Sequence, residues 1–183
     1  SLRPNQLYAI SLVDELVPRD RAQQILRLVE EQLLTPVGLR TLSPADSRYR
    51  ARYEGGVRER DGAYHQGTVW PFLLGSLVTA WIKVFGQSAA VRNKARSFLA
   101  GLEAHLYEAC LGQVSEIFDG EAPHNPRGCS AQAWSVAEPL RALIEDLGIQ
   151  AGTQKITVKR VVVRQRKKTA PQSTQGKGGK SLR

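Results

Sequence analysis

The sequence predicts an all-α body followed by a basic C-terminal tail. Apolar residues recur at helical spacing in five segments between Arg3 and Leu147. One of those segments is apolar nearly all round, while its neighbours are apolar on one face only. Charge is divided unevenly: residues 151–183 hold ten Lys or Arg and no Asp or Glu. That leaves sixteen basic and seventeen acidic side chains in residues 1–150, so the tail carries the whole excess of the +9 net charge.

Pro4 opens a short helical stretch in which Leu7 and Ile10 face inward, with Pro tolerated in the first turn. Pro18 marks a junction. A helix follows from about Asp20, its expected N-cap, to Leu34, with Ala22, Ile25, Leu26, Val29 and Leu33 on one face. Residues 35–66 show no sustained period and are dense in glycine and charge, as expected of a long functional or disordered loop. The nearly uniform apolar helix spans about Gly67 to Phe85, with Pro71 in its first turn. A further amphipathic helix covers 89–109, and a second irregular stretch runs from Gly112 to Gly128. The last helix runs from about Ser130 to Leu147, kinked by Pro139 and ended by Gly148. Such alternation suits a partial toroid of helical hairpins, and a small bundle equally well.

Composition excludes several classes. A body with net charge −1 argues against a folded nucleic-acid-binding surface there, and leaves the tail as the place for non-specific adhesion. Cys110 and Cys129 make neither a disulfide framework nor a metal site, and buried, reduced thiols suit a cytoplasmic protein. His65, His105 and His124 are scattered, so no metal or organic cofactor is expected, and mid-helix His105 reads as structural. The apolar run at 69–86 contains Pro71, Gly75 and Lys83 and reads as a buried helix, with no membrane partner. Methionine is absent throughout, so Ser1 is expected to be internal to a longer polypeptide. The tail 151–183 is expected to be disordered.

The two long loops hold the side chains with chemistry. Residues 61–71 bring Tyr64, His65, Gln66 and Trp70 to a helix entrance. Aromatic faces and planar hydrogen-bonding groups suit a sugar ring, although a helix N-terminus with a structural Trp would read the same way. Residues 112–120 place Glu116 and Asp119 near aromatic and glycine residues, where a carboxylate can serve as acid or base or simply cap a helix.

Five blocks then stand in order: RPNQLYAISL, LLTPVGLRTLSP, YEGGVRERDGAYHQGTVWPFLLG, SEIFDGEAPHNPRGC and AQAWSVAEPLRALIEDLG. Together they resemble the C-terminal part of glycogen debranching enzymes of the amylo-alpha-1,6-glucosidase family, from about Arg3 to Gly148. The resemblance implies an (α/α)6 toroid and an inverting hydrolysis of α-1,6-linked glucose on a branched α-glucan such as glycogen or limit dextrin. Two carboxyl groups roughly 6.5–9.5 Å apart perform such a reaction. By resemblance Glu116 is the general base, and His65, Gln66 and Trp70 line the glucose pocket. Asp119, Gln132 and Trp134 lie near the same mouth. Arg127 is expected to tie the second loop down, Cys129 to pack as a small apolar residue, and Asp61 to pair with an arginine of its own loop. The family's general acid and the preceding toroid helices fall before the RPN block, so the missing N-terminal part of the domain is an expected partner and the chain alone is expected to be inactive. A non-catalytic reading stands beside this one: a truncated remnant with weak glucan binding and a tail that adheres to nucleic acid.

Overall fold

A computed structural model describes residues 1–149. The basic segment 151–183, with its expected disorder and adhesion, lies outside the described residues.

Pro4–Leu7 forms a 3-10 turn that runs into α1 (Tyr8–Ser11). The helix α2 (Arg19–Gln32) follows; Pro18 occupies the cap position expected of Asp20, which instead sits in the first turn. There its carboxylate still faces the positive end of the helix. The helix α4 (Leu73–Phe85) is the centre of the body, with ten of its thirteen residues buried. It packs on α1, α2, α5 (Ala89–Ser97) and α7 (Ala133–Arg141). Leu7, Leu26, Val29, Leu33, Leu74 and Leu77 are fully enclosed in this core. Each such burial contributes about 1.5–3 kcal/mol.

Three expected helices are shorter than their periodicity. The 89–109 segment divides into α5 and α6 (Ala100–His105). At the break, the Phe98 and Leu99 amides bond three residues back, tightening the turn as both side chains enter the core. The last helix gives way after α7 to a π turn, Ala142–Asp146. Pro139 lies just upstream, where its ring removes one ladder hydrogen bond. The apolar 67–85 segment begins as a strand, so Pro71 precedes α4 rather than opening it.

The larger correction is a sheet. The body is mostly helical, but five strands join as an antiparallel sheet in the order β1 to β5. They are β1 (Leu34–Thr35), β2 (Gly38–Arg40), β3 (Val69–Trp70), β4 (Ile117–Phe118) and β5 (Pro126–Arg127). Registry pairs Leu39 with Trp70, Val69 with Phe118, and Ile117 with Arg127. Strands of two or three residues are too short to show alternation, and most of these residues are buried on both faces. The supposedly structureless 35–66 region thus holds β1, β2 and a short helix, α3 (Val57–Ala63). The sheet places the two chemistry-bearing loops side by side: β3 lies within the first and β4, paired to it, within the second.

Among the described residues no helix is long and apolar enough to cross a membrane.

Candidate functional site

The first loop is held from behind. The Arg3 guanidinium donates to the carbonyls of Thr41 (3.1 Å) and His65 (2.7 Å) and to Gln66 Oε1 (2.8 Å). Gly67 lies against the Arg50 backbone at φ +145°, where a Cβ would come within 2.9 Å of the Arg50 carbonyl carbon. Glycine alone accepts both demands. The Trp70 indole N–H reaches the Tyr64 carbonyl and Thr68 Oγ1, each at 3.2 Å. The buried Trp70 ring then carries the His65 imidazole stacked on it, centroids 5.3 Å apart and planes 10° apart.

The wall continues across chain segments. Trp134, in the first turn of α7, meets Trp70 edge-on at 5.9 Å and stacks on Phe72 at 4.9 Å. Asn5, Tyr8, His65, Trp70, Phe72 and Trp134 face an open cleft of about 210 Å³. Trp134 is 47 % exposed, so its ring offers a free face. A larger apolar groove of about 550 Å³ lies between α5–α6 and α7, away from every expected site residue.

Glu116 does not line that cleft. It lies behind Tyr64, whose ring touches both His65 (4.8 Å) and Trp70 (4.9 Å). The Tyr64 hydroxyl donates to Glu116 Oε1, and the Cys129 amide donates to Oε2 at 2.9 Å. The Glu116 amide donates back to the Cys129 carbonyl at 2.9 Å, closing a reciprocal bridge. Gly128, at φ +67°, keeps the space above the carboxylate free: a Cβ there would sit 3.0 Å from Glu116 Cδ. Partial burial pushes the carboxyl pKa up, but the Tyr64 and Cys129 hydrogen bonds outweigh it and hold the group below its ordinary value. Burial, then the bond to Glu116, pushes the Tyr64 phenol up. Glu116 is therefore ionised at neutral pH, held by neutral donors, with lone pairs to spare on both oxygens.

Asp119 is a different kind of carboxylate. It is fully buried and accepts from Arg127 Nη2 (2.9 Å) and Nε, from the Tyr53 amide (2.9 Å) and from Asn125. Burial raises its pKa, and these partners, Arg127 first, bring it below the ordinary value. It ties the second loop to Tyr53 and Arg127. Gln66 spends its carbonyl oxygen on Arg3. Gln132 caps α7, its Oε1 accepting from the Ala133 amide at 3.0 Å. The structure thus gathers His65, Trp70 and Trp134 around the cleft, with Glu116 one ring behind.

Arg127 ties the loop as expected, through Asp119. Cys129 is exposed rather than packed as an apolar residue, and its backbone amide donates to Glu116. Cys110 is half-buried. Asp61 is exposed and has no arginine partner among the described residues. The sequence placed Tyr64 at the sugar-suited helix entrance but gave no sign that its hydroxyl holds Glu116. Sequence reasoning passed over Phe72 and the Arg3 clamp. Among the described residues, no group of three or more His, Cys, Asp and Glu side chains could hold a metal ion.

Two comparisons bear on this arrangement. The family model for amylo-alpha-1,6-glucosidase matches residues 1–141. The glycogen debranching enzyme of Saccharomyces cerevisiae is 30% identical over 157 residues. The match covers 74% of this chain and 10% of that protein, so the chain spans about a tenth of the relative's length.

Proposed function

Because the chain belongs to the amylo-alpha-1,6-glucosidase family, we propose that it is part of a glycoside hydrolase that removes α-1,6-linked glucose at branch points of glycogen or limit dextrin. Glu116 is the general base of an inverting reaction. It takes a proton from a water molecule whose oxygen attacks the anomeric carbon. The glycosidic bond breaks as a second carboxyl group protonates the leaving oxygen. Glu116 finishes the turnover protonated and the acid ionised, and exchange with solvent restores both.

The observation that carries this reading is the Glu116 carboxylate itself. Hydrogen bonds from Tyr64 and Cys129 keep it ionised beside an aromatic wall. His65 and Trp134 are suited to stack on a glucose ring, with the buried Trp70 ring backing His65. Asp119 is taken by Arg127 and is a poor candidate for the acid. In this proposal the acid comes from residues preceding Ser1, and the hairpins described here are part of an (α/α)6 toroid completed by the same missing segment. The proposal includes a cytoplasmic location.

The test is Glu116→Gln in a polypeptide that joins these residues to the family's upstream segment. Release of glucose from limit dextrin should fall about 10²–10⁴-fold while dextrin binding is kept. Undiminished release by a folded variant removes Glu116 as the base. The isolated 1–183 chain should release none; turnover by it would place the acid within the chain.

A further inference from the structure

His105, Ser115 and Glu108 form a cluster that the proposed reaction does not use. His105, at the end of α6, is 1 % exposed, and Ser115 is equally buried. His105 Nε2 lies 3.2 Å from Ser115 Oγ and 3.3 Å from the Ser115 amide nitrogen, and Nδ1 lies 3.2 Å from Glu108 Oε2. The order hydroxyl, imidazole, carboxylate is that of a nucleophilic triad. Burial excludes that use, since no substrate reaches Ser115 Oγ.

The amide decides the tautomer. A backbone N–H only donates, so Nε2 accepts and the ring proton sits on Nδ1, facing Glu108. Ser115 directly precedes Glu116, and the His105 ring also meets Phe118 edge-on at 4.7 Å. The imidazole therefore holds the Ser115 backbone on one side of Glu116 and packs on the Phe118 side chain on the other. On the opposite side the Glu116 amide and carboxylate are bridged to Cys129, and the Val114 carbonyl accepts the Gln132 amide at 3.0 Å.

We infer that His105 is a positioning residue for Glu116: by accepting the Ser115 amide it fixes the backbone from which the carboxylate reaches its Cys129 and Tyr64 donors. The inference rests on Glu116 as the reacting carboxylate. Without the acceptor at position 105, the Ser115 amide must turn elsewhere for a partner, and the two-way bridge between Glu116 and Cys129 loses its register.

Carboxyl-labelled glutamate in the polypeptide that joins these residues to the family's upstream segment reads this directly by NMR titration. His105→Leu should raise the Glu116 midpoint by about one pH unit, towards an ordinary glutamate, as one hydrogen bond to the charged form weakens. His105→Gln, whose amide oxygen can replace Nε2, should restore the wild-type midpoint; His105→Asn is too short and should behave as Leu. In the unsubstituted chain, a coupling across the hydrogen bond should link the Ser115 amide nitrogen to His105 Nε2. A proton found on Nε2 overturns the inference even where the Leu and Asn variants fail to fold. So does a folded Leu variant with an unchanged midpoint, or Gln behaving as Leu. The base assignment fails separately, through a Glu116→Gln enzyme that still turns over, and that result leaves the NMR linkage untouched.

Discussion

Glu116 and Asp119 lie three residues apart on either side of one short strand, and the protein treats them in opposite ways. Asp119 is fully buried against the Arg127 guanidinium, with further donors from Tyr53 and Asn125. Glu116 is half-buried and held only by neutral donors, a phenol and an amide. Both carboxyls lie below their ordinary values. The difference lies in what a proton would cost. Protonating Asp119 breaks an ion pair that organises a loop, whereas protonating Glu116 costs hydrogen-bond strength and no charge partner. A carboxylate that must accept and release a proton in each turnover belongs in the second setting.

The contrast breaks most visibly at Arg127. Arg127→Ala leaves Asp119 buried without its cation, and should cost about 3–5 kcal/mol in urea denaturation. A loss below about 1 kcal/mol would mean the pair is no stronger than a surface ion pair. Tyr64→Phe addresses the other carboxylate. It removes one donor and should raise the Glu116 titration midpoint by about one unit, shifting the acid limb of activity to higher pH with KM little changed. An unmoved midpoint would show that Cys129 alone holds the group.

Acid tests both together. Each folded pKa is depressed, so each carboxyl's contribution to stability is present above the ordinary values of 4.5 and 3.8 and is lost as pH falls through the folded values. Arg127→Ala should flatten this acid-side loss of stability, and Tyr64→Phe should flatten it less; equal slopes would erase the distinction. The smallest effect is expected at Trp134. Trp134→Ala removes an exposed stacking face, and should weaken dextrin binding by about 0.5–1.5 kcal/mol, with a stability loss of similar size from its contacts with Phe72 and Trp70. Unaltered binding by calorimetry would confine the sugar-facing wall to Trp70 and His65.

Much of this was legible before any coordinates. The burial of α4 all round follows from its composition, and the inward face of α2 follows from its spacing, whereas α7 buries Ser135 and Pro139 and leaves exposed Ala133, Ala137 and Leu140, which the spacing places inward. The block SEIFDG singled out Glu116, and the block YHQGTVWP brought His65 and Trp70 forward. Asp119 in SEIFDG and Gln132 in AQAWSVAEPLRALIEDLG stood as candidates for the sugar, and nothing local separated them from Glu116. Which of them meets a guanidinium or a helix N-terminus depends on residues from six to sixty-six positions away in Asp119's case, and on the start of α7 for Gln132.

The amino-acid sequence by itself determined the helical body, the buried central helix and the residue types at the site, because amphipathic spacing and local composition act over one or two turns. Tertiary structure alone decided the sheet, the union of the two loops and the roles of Tyr64, Arg3 and His105. Strands of two or three residues have no readable period. Their pairing is set by partners up to about fifty residues apart, such as Val69 and Phe118. A hydrogen bond that tunes a carboxylate exists only once the core has brought its donor within reach.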